Sequence, residues 1–388
     1  MENSSTETMI GKRLTVGIDV GDRYSRICVL DAEGEVAEAG FLMTEEAAFR
    51  SRFTGMAPCL TAMEASTHSP WLSRLIEDLG HECLVANPAT LKGKNRKKSD
   101  KIDAEKLARW ARSDPKLLEP IRHAGAEVQA DMALIHSRRS LIEARTKLIN
   151  RARGLVKSFG SRLPRCDADQ FARKVKDCIP EALGGPIEPL LRIIAGLTEE
   201  IDALDKRVKA LAEKYSQATV PLMQVDSIGP LIATTYALTV RDPARFRKSR
   251  QVGAYLGLTP RQQSSGQREP ELSITKAGNV YLRKLLVNAA NRVLGPFGSD
   301  CDLRRWGLKK AAGGKNAKKR AVVAVARKLA VLLHHLWLTG EKYEPLRRPE
   351  AAGEPSSPPS PQPSAAVKVR PSDASSRFQT LTAALKDK

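Results

Sequence analysis

Within the first hundred or so residues, apolar runs too short for helices alternate with helical patterns, and few folds accept their order. Leu14 to Ile18 reads as a strand. Arg26 to Leu30 and Val36 to Leu42 read as two more, joined through Asp31-Ala-Glu-Gly34, a short glycine-bearing turn that makes them an antiparallel hairpin. A helical pattern follows near Thr44 to Arg52, then a strand at Cys59 to Met63, a helix from Ser69 to Leu79, a strand at Glu82 to Ala86 and a helix opening near Asp100. This order predicts a mixed sheet with helices packed on both faces.

The order is that of a ribonuclease-H-like (RuvC-like) α/β fold, expected over residues 12–115, and it connects four acids that lie far apart in sequence. Asp19 closes the first strand in TVGIDVG, Glu64 closes the fourth in LTAMEAS, and Asp100 and Asp103 begin the last helix in KKSDKIDAEKLARW. Neighbouring first and fourth strands, with that helix across their ends, would bring the acids together. Convergent carboxylates suit Mg²⁺ or Mn²⁺, hard cations that take oxygen ligands and serve phosphoryl transfer. Taken singly, Asp19 could be a turn residue, Glu64 an exposed strand end, and Asp100 with Asp103 a helix cap and its partner.

The middle of the chain, residues 116–217, is expected to be a helical coiled-coil region. Val128, Ile135, Ile142, Ile149 and Val156 recur every seven residues, and Ile187, Leu190, Ile194, Leu197, Ile201, Leu204, Val208, Leu211 and Tyr215 alternate three and four apart. Pro180, Gly184, Gly185 and Pro186 separate the two seams, which can therefore fold back on each other or pair with another subunit. A homo-oligomer, dimer or tetramer, is expected. From Glu344 the composition turns to Pro, Ser and Ala, and residues 341–388 read as a disordered tail.

Charge points to the partner. Lys and Arg number 64 against 44 Asp and Glu, a formal net charge of +20, and the cations are clustered. That combination predicts a polyanion, nucleic acid first. Lys94, Arg96, Lys97 and Lys98 stand just before Asp100, and Arg138 and Arg139 lie between the apolar stripes of the first long helix; all are candidate phosphate contacts. The six cysteines show no metal-binding or disulfide spacing, and the N-terminus has no apolar leader. No membrane association and a cytoplasmic location are expected.

Residues 218–340 read as a mainly α C-terminal domain. In QVDSIGPLIA the Ile-Gly-Pro turn before an apolar helix is typical of a helix-hairpin-helix, whose backbone amides near Gly229 would meet phosphate. A plain Gly-Pro helix start fits equally well. After it come the blocks GLTP, SSG and SITKAGNVYLRKLL. These blocks, the IGP turn and the Asp19, Glu64, Asp100, Asp103 pattern, in this order, resemble transposases of the insertion-sequence one-ten family, also called DEDD serine or bridge-RNA-guided recombinases, with the Piv invertases as relatives. The resemblance covers about Leu14 to Leu338.

The resemblance implies DNA cleavage and rejoining, a metal site on the four acids, a serine nucleophile in the C-terminal domain, and an element-encoded guide RNA as partner beside DNA. The serine matching that role is Ser265, before Gly266, with Ser264 as the adjacent alternative. Arg261, Lys276 and Arg283 surround it in sequence as candidate phosphate clamps. Two other readings stay open here: a RuvC-like junction nuclease using water as nucleophile, and a non-catalytic nucleic-acid-binding protein.

Overall fold

The computed structural model describes residues 13–88, 100–261, 272–314 and 316–347; of residues 100–102 only the backbone is described. The expected order of elements is present. Strands β1 (Thr15–Asp19), β2 (Tyr24–Leu30) and β3 (Val36–Met43) are followed by helix α1 (Glu46–Phe53), β4 (Leu60–Glu64), α2 (Ser69–Asp78), β5 (Glu82–Ala86) and α3 (Asp100–Ser113). The sheet runs β3-β2-β1-β4-β5, antiparallel from β3 to β1 and parallel from β1 to β5. Asp31 closes the β2–β3 turn by accepting hydrogen bonds from the amides of Glu33, Gly34 and Glu35.

One sheet face packs Val16, Ile18, Ile27 and Val29 against Phe49, Phe53, Leu72 and Ile76 of α1 and α2, all buried. On the other face α3 lies close enough that a Cβ on Gly17 would stand 1.9 Å from the carbonyl oxygen of Ala104. Only glycine permits that approach.

Helices α4 (Ala126–Ser158, 33 residues) and α6 (Gly184–Lys214, 31 residues), with short α5 (Phe171–Val175) between them, carry the two predicted seams. They form an antiparallel hairpin about 50 Å long. Ile149 and Val156 pack with Ile187, Leu191 and Ile194 at one end. Ile135 meets Val208 at the other, where Leu238 and Tyr281 join them. The fold-back alternative is thus realised within the chain.

The remainder is helical: α7 (Ser216–Met223), α8 (Pro230–Val240), α9 (Arg250–Tyr255), α10 (Val280–Leu294), α11 (Asp302–Ala311) and α12 (Ala317–Thr339). Helix α12 is long and apolar enough by composition to cross a membrane, but Val325, Ala326, Leu329, Ala330 and Leu333 are buried in a core shared with α8 and α10. Contacts join the described residues up to Pro345 into one compact unit. The expected tail lies almost wholly outside the described residues.

Candidate active site

Parallel pairing of Ile18 with Met63 places Asp19 and Glu64 side by side, each the last residue of its strand and each half-buried. Neighbouring strands are about 4.8 Å apart, so the two carboxylates share one rim of the sheet. The chain leaves β1 through a turn that only glycine fits, because a Cβ on Gly21 would stand 2.2 Å from the Tyr24 carbonyl oxygen.

Helix α3 runs antiparallel to β1. Near its C-terminus Arg112 donates to the carbonyls of Arg13 (3.2 Å) and Asp31 (3.1 Å), while Ala104 and Ala108 sit over Gly17 and Cys28. Its N-terminus, with Asp100 and Asp103, therefore lies toward the Asp19–Glu64 rim, and its dipole favours an anion there. The Asp103 carboxylate is 3.9 Å from the Lys106 ammonium. The side chain of Asp100 lies outside the described residues, and among the described residues no group of three His, Cys, Asp or Glu stands close enough to hold a metal ion. Strand register sets Asp19 beside Glu64, and the start of α3 lies toward the same rim.

Sequence reasoning passed over the rest of this rim. His68, four residues beyond Glu64, accepts a hydrogen bond at Nδ1 from Trp71 Nε1 (3.2 Å) and holds Nε2 3.6 Å from Asp22. Ser69 Oγ bonds His123 Nε2 at 2.8 Å, and burial, reinforced by Arg74 and Arg241, holds His123 below the usual histidine range. The Glu64-to-His68 interval was the available signal, but a single histidine carries little by itself.

In the C-terminal region the residues on either side of the candidate serines pair with each other. Arg261 N donates to Ser273 O (3.0 Å), Thr275 N to Thr259 O (2.9 Å) and Lys276 N to Gly257 O (3.1 Å), a short antiparallel stem that closes the segment containing Ser264 and Ser265. Gly257 and Gly278, both at positive φ, let its strands pass within 2.3 and 2.1 Å of where their Cβ atoms would be. Arg261 and Lys276 are exposed on the stem. Ser264 and Ser265 themselves lie outside the described residues. Gly229 is exposed and caps α8 after the short turn from α7.

Three of the expected phosphate contacts have other partners. Arg138 forks onto Asp205 of α6 (2.5 and 3.0 Å). Arg139 bonds Glu143 (2.8 Å) and lies 5.0 Å over the Tyr281 ring. Arg283 is 8% exposed and donates to the carbonyls of Leu256 (2.9 Å) and Ala277 (2.5 Å). Arg138 and Arg283 thus act as tertiary ties in the fold, each donating to protein acceptors from a half-buried or buried position. Lys94, Arg96, Lys97 and Lys98 lie outside the described residues.

Comparisons with known proteins show a family. A transposase family model of the DEDD IS110 type matches residues 16–160, and the model described as transposase IS116/IS110/IS902 family matches residues 220–298. A protein of Pseudomonas aeruginosa named "Probable family 20 transposase" is 32% identical over 303 residues, covering 75% of this chain and 87% of its own length. The transposase for insertion sequence element IS1111A of Coxiella burnetii is 28% identical over 336 residues, 84% and 90% of the two chains. The transposase for insertion sequence element IS1328 of Yersinia enterocolitica is 30% identical over 238 residues, 60% and 70%.

Proposed function

The chain belongs to the IS116/IS110/IS902 transposase family, and from that premise we propose that it moves its element by breaking DNA strands and rejoining them through a serine ester. The observation that carries this reading is the pair Asp19 and Glu64 at the ends of neighbouring parallel strands, with the N-terminus of α3 directed to the same rim. The strand order supports a ribonuclease-H-like, RuvC-like assignment for residues 12–115. The donor set is all oxygen, which fits Mg²⁺ or Mn²⁺. Asp19, Glu64, Asp100 and Asp103 would hold the ion, whose chemistry there is charge neutralisation at phosphate and activation of a hydroxyl.

Ser265 is the nucleophile in this reading. Its Oγ forms a bond to phosphorus, the P–O3′ bond breaks, the serine proton is lost to a base and the departing 3′ oxygen gains one. Attack by a 3′ hydroxyl reverses these changes and frees the serine, so rejoining needs no outside energy source. Arg261 and Lys276, exposed on the stem, supply cationic contacts to the phosphate, and the α7–α8 turn acts as a helix-hairpin-helix offering the backbone at Gly229. Residues 116–217 serve assembly of a dimer or tetramer, residues 218–340 carry the serine, and residues 341–388 are a tail. Sequence choice comes from a guide RNA paired with donor and target DNA, all within the cytoplasm.

On a nicked DNA substrate in Mg²⁺ buffer, the wild type is expected to leave a denaturation-resistant protein–DNA adduct that Ser265→Ala abolishes without loss of DNA binding. Asp19→Asn and Glu64→Gln are expected to abolish strand exchange with the fold intact. An adduct that persists in the Ser264→Ala/Ser265→Ala double variant overturns the serine assignment. Recombination by Asp19→Asn overturns the acid site.

A further inference from the structure

Three strands of the sheet present one row of side chains beside the rim acids. Antiparallel pairing sets Asp19 opposite Arg26 and Arg26 opposite Phe41, so the three lie on one face. Tyr24 and Met43 form the next row outward, and β3 is the sheet edge. This is the face on which α3 covers Gly17 and Cys28, two residues further in. Along the outer rows the side chains are exposed: Tyr24 is 60% exposed, Phe41 65% and Met43 46%.

The opposite face of the same strands is filled. Ile27 and Leu42 belong to the core, and Ser25 bonds Thr44 in a buried pair. Strand alternation would place polar side chains on a face meant for water, whereas here it places two aromatic rings and a methionine. Exposing a phenylalanine forgoes the gain of burying it, and an apolar patch of this kind marks a contact surface. The Arg26 guanidinium carbon lies 4.7 Å from the Phe41 ring centroid, a cation set into the middle of the patch.

Aromatic faces with an interleaved arginine are the combination that binds unpaired nucleotides, the rings stacking on bases and the cation facing the backbone. Phe41 is two strand spacings from Asp19, about 10 Å, which is within reach of a base one or two nucleotides from a phosphate at Asp19. We infer that the Tyr24–Arg26–Phe41 face is a stacking platform for an unpaired DNA base flanking the phosphate processed at the rim. The inference rests on the reading of Asp19 as part of the acid site. Continuity with that rim and the net charge of +20 favour a DNA strand as occupant.

The test uses the full chain, in EDTA so that no strand is cut, with duplex DNA containing a short unpaired stretch and 2-aminopurine placed at successive positions within it. Wild type is expected to quench the probe at one or two positions. Phe41→Ala is expected to lose that quenching and to bind roughly tenfold more weakly, Tyr24→Ala to weaken both partly, and Phe41→Trp to restore them. Thermal melting should hardly change, since the removed rings are exposed. Asp19→Asn is expected to keep the quenching although it loses strand exchange, so the platform and the acid site fail independently. Unchanged quenching in a Tyr24→Ala/Phe41→Ala double variant overturns the platform. So does quenching confined to RNA of the same sequence, or a loss of self-association in the double variant with DNA binding intact.

Discussion

The guanidinium of Arg283 is tied to Leu256 O on one side of the serine-loop stem and Ala277 O on the other. Burial pushes its pKa down, and those two carbonyls accept from its guanidinium. In Arg283→Ala both carbonyls lose a charge-assisted donor, a destabilisation of about 3 kcal/mol. If Ser265 is the nucleophile, adduct formation should then fall roughly tenfold because the stem no longer aims it, while DNA affinity stays within about twofold; Arg283→Lys, whose ammonium can donate to both carbonyls but sits on a shorter stem than the Nη1 that makes both bonds, should lie between. Equal losses of affinity and adduct would return Arg283 to the phosphate contacts. Its role was hidden in sequence because an arginine near a serine loop has the same pattern whether it faces phosphate or backbone. The Arg138 tie was hidden for the same reason: its partner, Asp205, lies on another helix, and helical spacing around Arg138 carries no trace of it.

At the scale of elements, periodicity was enough to place the strands and the long helices, because alternation and seven-residue spacing are what the packed faces require. It could not decide how the two seams pair. That choice is made by cross-hairpin ties: Arg138 with Asp205, Arg145 with Thr198 (3.1 Å), and Asp131 with Lys214 (2.6 Å) and Tyr215 (2.7 Å). Burial tends to raise the Asp131 carboxyl pKa, but the bonds from Lys214 and Tyr215 outweigh it and hold it low. The Arg138 side chain is 14% exposed and the Glu143 side chain 46%. Asp205→Ala should therefore cost about 1–2 kcal/mol by leaving a shielded cation unpaired, against roughly 0.3–0.5 for Glu143→Ala, which breaks an exposed pair within one helix. Chemical denaturation of the two variants checks this, and equal losses would mean that the hairpin does not depend on the cross-tie. The rim acids were legible as strand ends and a helix start, whereas the platform row was not, since exposure of Phe41 depends on where α3 stops covering the sheet.

Across the whole compact unit, the link between the sheet region and the C-terminal helices includes a small junction. Arg241 donates to the carbonyls of Arg122 (2.9 Å) and His123 (2.7 Å), Arg74 to that of Ala124 (3.1 Å), and Ile121 pairs with Val85. His123 is held neutral there by burial and by those two arginines, and burial with Arg139 does the same for His136. A histidine whose folded pKa lies below its unfolded value near 6.5 stabilises the fold fully above that pH, and the contribution is lost as pH falls toward the folded value. Melting temperature should drop by a few degrees between pH 7.5 and 5.5, and less so in His123→Gln; identical drops would clear this junction. The stem of the serine loop sets a different kind of limit. Ser265 is four residues from Arg261, whose backbone the stem fixes, so a chain that extends at most about 3.5 Å per residue limits the hydroxyl to roughly 16 Å, the side chain included. Inside that sphere one serine amounts to a local concentration on the order of 0.1 M. Outside it, the concentration from this copy is zero, and in the proposed reaction a phosphate held there would be attacked only by the loop of another copy.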